Sequence, residues 1–416
     1  MASLTFCQSA LAQPIELTLD ESISLALKNN PALQIVQAHK EQAAWAIKEA
    51  KSNKDVSVGY THMDRRSTAP YTWVASLAAV SPYNYFSNQL TASVPLYTGE
   101  KIENVIKQTE INHKMSELEV VVTKQQLKLE TSMEYYSVLQ NQTLLEIAKQ
   151  TVTDFNAHLE RVQRMYDIGV VPWHDVLQTK VKLANAENSL VKAQNDYDLS
   201  IHKLNKTMGF PLQNEIRLVE PLKYQPYTGS LDNVIAYGLA HRPEMEQSKE
   251  NIKLEQAQIQ VAQSGYKPQV MLTGTMAWDD TNFAGTKNRD WTAMLVTQFN
   301  VFDSGNTEAK IKQAQKSEVA AREKVRQVKD NVSLEMSDAY FNIKQAEKRI
   351  GTNRIAIEEA NNNFDIAQKA YSAGVGTNLD VMDAELALNQ AKTNYTNSLF
   401  DYNISKAQLD KAIGRD

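Results

Sequence analysis

The sequence predicts a mixed α/β membrane protein, mainly α, in which one half-molecule is written twice. Each half holds two barrel-type strands and a long coiled-coil helix hairpin. Three observations carry this. Residues 166–209 and 371–414 align without a gap at 13 identities in 44 positions, 205 residues apart. Solenoid repeats run only about 20–50 residues, so the echo marks a duplicated half. Glycine and proline are scarce (14 and 11 in 416 residues), with neither between Gly99 and Gly169 and no proline after Pro268. Such stretches, rich in Ala, Glu, Lys, Gln and Leu, form long helices. Finally, four segments alternate apolar and polar residues over about 9–12 positions, the pattern of a membrane β-barrel strand.

The elements follow in order. Residues 1–12 read as the remnant of an export signal, because Ser9-Ala10-Leu11-Ala12 before Gln13-Pro14 fits a small-residue cleavage site. Cys7, the only cysteine, would leave with that signal or carry a lipid. The first repeat spans 13–209, a linker 210–229, and the second repeat 230–416. Leu19-Asp20-Glu21 opens a short helix (18–29) that stops at Asn30-Pro31. Leu231-Asp232-Asn233 opens its counterpart (231–241), which stops at Arg242-Pro243. Second helices follow at 32–53 and 243–264.

Strands are expected at 55–64, 86–97, 270–279 and 290–302. In 86–97, Phe86, Leu90, Ala92, Val94 and Leu96 oppose Ser87, Gln89, Thr91 and Ser93. In 290–302, Trp291, Ala293, Leu295, Phe299 and Val301 oppose Thr292, Gln298 and Asn300. A half-buried hairpin of a soluble protein alternates in the same way. If the strands do span lipid, four cannot close a barrel, and open edges are not tolerated in hydrocarbon, so several chains must pool them. Trp73, Trp278 and Trp291 lie at or near strand ends and suit an interfacial girdle or simple packing. Residues 65–85 and 280–289 read as loops, and the linker as a wrap around the outside of the helices.

The helix before each turn runs about 67 residues, ~100 Å at ~1.5 Å per residue, and must lie in a bundle or tube. After the turns, Val176, Leu183, Leu190, Tyr197 and Leu204 recur every seventh residue, as do Val381, Leu388, Tyr395, Tyr402 and Leu409. Beside them run the small residues Thr179, Ala186, Ala193 and Ser200, and Ala384, Ala391 and Ser398. Sustained heptads supercoil, and small residues let backbones approach.

Net charge is −5 and the isoelectric point about 5.9, which gives no footprint for nucleic acid. No phosphate-binding loop, dinucleotide fingerprint or zinc-protease motif is present, so the sequence points to no enzyme, cofactor or metal.

The chain resembles the TolC family of outer-membrane efflux channel proteins over about residues 18–414. The resemblance rests on Y-x-x-G-V-x-x-x-x-D-V at Tyr166–Val176 and Tyr371–Val381. It rests also on V-P-L-Y-T-G at Val94–Gly99 with its partner at Phe302–Gly305, and on the element order, given twice. It implies a homotrimer whose pooled strands make a 12-stranded barrel in outer-membrane lipid of a Gram-negative bacterium. A periplasmic α-helical tunnel would meet a periplasmic adaptor (membrane fusion protein) and an inner-membrane pump, passing drugs, metals or proteins outward.

Residue by residue, the turns Gly169-Val170-Val171 and Gly374-Val375-Gly376 match the adaptor-docking tips, although both leading glycines also read as helix caps. Asp380 and Asp383 match the acids at the tunnel's constriction; Thr377-x-x-Asp380 is also a capping box in outline. The first half has Asp175 but Gln178, so the acid pair comes from the second half alone. Asp175 matches an acid that holds the tip shut by hydrogen bonding a tyrosine, here Tyr371, and equally suits the first turn of a helix. Where the family's best-known member carries an arginine in the second turn this chain has Gly376, and His174 stands at the partner position. The competing reading is a soluble periplasmic coiled-coil scaffold or adaptor, which fractionation separates from a channel.

Overall fold

A computed structural model describes residues 15–67 and 83–415. The signal remnant, Cys7 and Trp73 lie outside the described residues. The chain runs β1 (Ile15–Leu17), α1 (Leu19–Asn29), α2 (Pro31–Ser52), β2 (Ser57–Ser67), β3 (Tyr83–Tyr97), α3 (Lys101–Asp167) and α4 (Trp173–Met208). It continues with β4 (Ile216–Leu218), α5 (Leu231–His241), α6 (Pro243–Gln263), β5 (Gln269–Asp280), β6 (Arg289–Gln298), α7 (Asn306–Ser372) and α8 (Asn378–Ala412). No described helix is long and apolar enough to cross a membrane, which says nothing about the strands. The elements fall into two units: one of residues up to 37, 119–245 and from 328 on, the other of 38–118 and 246–327.

In the first unit, local chemistry sets the helix ends. The Thr18 hydroxyl accepts the Glu21 amide and the Glu21 carboxylate accepts the Thr18 amide, a complete capping box for α1. Ser230 caps α5, and Pro31 and Pro243 each open the next helix. Gly209 and Gly414, both left-handed, lie against the backbone carbonyls of Asn29 and His241, so the same contact occurs in both halves. The heptad residues face inward. Leu204 and Met208 pack with Tyr135, Val138, Leu17 and Ile216, while Tyr402, Leu409 and Ala412 pack with Met336, Ile343 and Val234. Within the linker, Ile216–Leu218 pairs in parallel with Ile15–Leu17 and covers the first of these clusters. Burying Leu17 and Ile216 favours that pairing.

Arg242, at the end of α5, is almost wholly buried. Its guanidinium donates to Glu244, to Glu335 at 2.9 Å and to the carbonyls of Lys411 and Ala412. Lys411 also reaches Glu335, and these cations hold the Glu335 carboxyl below its ordinary range despite burial.

The second unit carries an antiparallel sheet in the order β2-β3-β5-β6. Side chains alternate between faces, so the register fixes which residues share one. Tyr60, Leu90, Met276 and Trp291 form a row across all four strands, and Val58, Ala92, Gly274 and Ala293 the next. Val94, Leu272 and Leu295 extend that face. The opposite face carries Gly59, Thr91, Thr275 and Thr292, then Thr61, Gln89, Ala277 and Asp290. The apolar rows end at His62, Asn88, Trp278 and Arg289, where the Asn88 amide oxygen accepts the Tyr60 hydroxyl at 2.6 Å. Trp278 and Trp291 thus lie in adjacent rows of one face. Among the described residues, the outer edges of β2 and β6 are unpaired.

The strand ends differ from expectation. Pairing of Arg65 with Tyr85 and Arg66 with Asn84 extends the first hairpin into what reads as loop. Conversely β6 stops at Gln298, leaving Phe299 and Val301 beyond it. There the chain turns into α7 through Ser304 and Gly305, both left-handed (φ +54° and +81°), with Asp303 capping the Gly305 and Thr307 amides. Gly99 and Glu100, both at φ +65°, make the corresponding turn into α3. A Cβ on Gly99 would meet the Lys267 Cβ at 2.7 Å.

Candidate functional site at the helix turns

The two long hairpins turn within the first unit. At the first, the Gly169 amide bonds the Tyr166 carbonyl and the Val170 amide bonds the Met165 carbonyl, with Gly169 at φ +77°. At the second, Gly374 (φ +76°) bonds Tyr371 and Val375 bonds Ala370. Both are left-handed glycine caps that satisfy the last carbonyls of α3 and α7. Gly376 has a separate cause: a Cβ there would lie 2.9 Å from the Tyr371 nitrogen and 3.1 Å from Ala370. This tightly folded turn excludes the arginine that the resemblance would place at 376.

The turns differ in what they present outward. Val375 is 83% exposed, and Ile168 and Val170 are exposed beside Gly169. Val171 turns inward onto a cluster of Val162, Val176, Tyr371 and Val381. Trp173 lies against Tyr166 at 5.0 Å between ring centres, the rings tilted by 52°, with the Lys180 ammonium over its ring.

Asp380 and Asp383 are exposed, while Val381, Met382 and Ala384 between and beside them are buried. The Asp380 carboxylate accepts the Thr377 hydroxyl (2.6 Å) and amide (3.0 Å), and the Thr377 hydroxyl accepts the Asp380 amide. These bonds hold its carboxyl below the ordinary range, so it is ionised at neutral pH.

The expected bond between Asp175 and Tyr371 is not made. The Tyr371 hydroxyl is buried and has no hydrogen-bond partner among the described residues. Its ring is drawn into the valine cluster and lies 5.4 Å from the His158 ring. Burial, and next the Asp175 charge, push its hydroxyl above the ordinary pKa.

A different polar group joins the hairpins. Asn378, at the start of α8 and 3% exposed, points its amide between α3 and α4. Its oxygen lies 2.7 Å from His158 Nε2, and its nitrogen donates to the Asp175 carbonyl and the Thr179 hydroxyl, both at 3.2 Å. The Thr179 hydroxyl donates to the Asp175 carbonyl at 2.8 Å. Seven residues on, Glu385 is 2% exposed, with Met382, Phe155 and Ala186 buried in the neighbouring cluster and one carboxyl oxygen unpartnered. Burial, and then the Asp154 charge, raise its pKa to about 8. Asn378 and Glu385 share one heptad position beside the Val381–Leu388 seam, a sequence signal that the apolar repeat concealed.

A family model described as outer membrane efflux protein matches residues 22–209 and 235–415. The outer membrane protein TolC of Escherichia coli K12 is 23% identical over 406 residues, covering 93% of this chain and 80% of its own. The alkaline protease secretion protein AprF of Pseudomonas aeruginosa is 23% identical over 299 residues, 68% of this chain and 60% of AprF. Among solved structures, the Campylobacter jejuni CmeC outer membrane channel matches with a TM-score of 0.83 at 16% identity, covering 95% of this chain and 85% of that one. The Vibrio cholerae outer membrane protein VceC gives 0.79 at 18%, covering 95% and 96%.

Proposed function

The chain belongs to the outer membrane efflux protein family, and we propose that it is the outer-membrane exit duct of a tripartite efflux or type I secretion system. Three copies pool their four strands into a 12-stranded barrel in the outer membrane of a Gram-negative bacterium. The helix hairpins form the periplasmic tunnel, an adaptor docks on the turns, and an inner-membrane pump supplies the cargo. The observation that carries this is the four-stranded sheet, apolar along one face, with Thr, Ser and Gln over much of the other, and unpaired at both edges among the described residues. Such a sheet satisfies its backbone in lipid only by pairing with copies of itself. Exposed heptad stripes support self-assembly too: Leu177, Ala184 and Val191 on α4, and on α7 Leu334 and Phe341, resumed at Ile355 after Lys348. Stripes of that spacing on a lone chain are seams awaiting a partner helix.

The paired contacts of Gly209 and Gly414 favour two structural repeats, 13–209 and 230–416, about the linker 210–229. Asp380 and Asp383 line the constriction, and in a trimer their six carboxylates make it cation-attracting. Ile168, Val170 and Val375 give the adaptor its apolar contacts around Gly169, Gly374 and Gly376. Val171 supports the turn from beneath.

Fractionation and native mass spectrometry in detergent test the reading together. The expected result is a three-chain species in the outer membrane. A stable single chain released with the soluble periplasm would instead establish the scaffold reading.

A further inference from the structure

We propose that the cluster of Asn378, His158, Thr179 and the Asp175 carbonyl is the latch that ties the two helix hairpins together at their turns, and that it releases on acidification. The proposal rests on the duct reading above and names the residues that keep its tip closed.

The geometry carries the first part. Asn378 belongs to α8, His158 to α3, and Thr179 and Asp175 to α4. One amide therefore bonds both helices of the other hairpin, while Tyr371 of α7 lies against the His158 ring. His158 and Asn378 are each 3% exposed and Thr179 is fully covered. Separating the hairpins would strip Asn378 of all these partners at once. Buried polar groups resist that unless water replaces every bond. The tie stands where the Asp175–Tyr371 bond is absent, and it uses the Asp175 main chain rather than its carboxylate.

The tautomer carries the second part. The Asn378 oxygen can only accept, so His158 Nε2 bears the proton and Nδ1 is the bare nitrogen. Nδ1 is buried without a hydrogen-bond partner among the described residues. A second proton would have to enter there and place a cation in a closed, largely apolar setting. The charged and titratable groups facing the ring are Arg161 on its own helix, Asp175 from α4 and the Tyr371 hydroxyl from α7. Burial is the largest influence and opposes the charge; the Asn378 bond and then Asp175 favour it, and Arg161 opposes it. Burial outweighs the favourable pair and keeps the imidazole below its ordinary pKa. A histidine freed into water regains a pKa near 6.5, so the released state takes up the proton more readily. Above about pH 6.5 the latch is unaffected, and below it each proton favours release.

The test is single-channel conductance of the purified protein in planar bilayers between pH 8 and pH 5. The wild type is expected to conduct little at neutral pH and several-fold more as the pH falls below about 6.5. His158→Gln, which keeps a donor for Asn378 and cannot titrate, is expected to stay low throughout. Asn378→Ala is expected to conduct several-fold above wild type at every pH. Circular dichroism confirms that each variant is folded. Wild-type channels whose pH profile persists in His158→Gln, with unchanged conductance in Asn378→Ala, would overturn the latch and leave the duct standing. A wild type that forms no channels at all would overturn the duct reading and the latch with it.

Discussion

Replacing Glu385 by Gln gives the sharpest thermodynamic test of the hairpin core. The folded chain holds this carboxyl protonated up to about pH 8, against an ordinary value of 4.5. A raised acid contributes stability that is full below the unfolded value and is lost as pH climbs to the folded one. At 1.36 kcal/mol per pH unit, wild type loses about 3 kcal/mol between pH 5.5 and 8 through this group alone. Glutamine keeps the shape of the protonated acid and cannot ionise. Unfolding entropy of ~2.1 cal/mol/K per residue makes 1 kcal/mol worth about 1 °C in a chain of this length. The Tm of Glu385→Gln minus that of wild type should therefore widen by about 3 °C from pH 5.5 to 8. The assay is helical circular dichroism on heating in detergent. A difference that stays constant across that range would refute the buried neutral carboxyl, whatever its size.

Further outcomes follow from other sites. Arg242→Ala leaves Glu335 to Lys411 alone and takes a buried donor from the Ala412 carbonyl at the end of α8, and should cost about 1–3 kcal/mol, read as a lowered Tm or raised protease sensitivity. Gly238→Ala drives a Cβ to 2.2 Å from the buried Met336 sulfur and should cost about 1–3 kcal/mol, with Met336→Ala restoring part of the loss in the double variant. Asp380→Ala with Asp383→Ala should lower cation preference, measured as reversal potential across a salt gradient; unchanged selectivity would place the constriction elsewhere.

Much of the helical scaffold was legible. Val176, Val381, Leu388 and Leu409 keep a seven-residue rhythm, and the structure buries all four. Alternation at Leu90, Ala92 and Val94 falls within β3, and Asn30-Pro31 and Arg242-Pro243 end α1 and α5. Three things were not. β1 and β4 are three residues each, too short to carry a period. Phe299 and Val301 continue the alternation past the last ladder bond, because periodicity reports side chains whereas pairing ends where Ser304 and Gly305 turn the backbone. The Asn378 tie needs His158, 220 residues away, and no local pattern joins such a pair. The Asp175–Tyr371 bond failed for a related cause: matching residues do not fix which way a phenol points once a valine cluster claims its ring.

The unfinished sheet has a consequence before the protein ever reaches lipid. A newly exported chain carries two hydrogen-bonding rims of unequal safety. The rim at β2 ends in Asp64, Arg65 and Arg66, charges of the kind that discourage stray pairing. The rim at β6 opens on Arg289 and Asp290 and then runs from Trp291 to Gln298 with no charge and no proline, the composition of a sticky segment. Misassembly in transit should therefore begin at β6, and a carrier that shields this one strand would protect the whole chain. Biogenesis becomes a race between correct partners and wrong ones for the same eight residues.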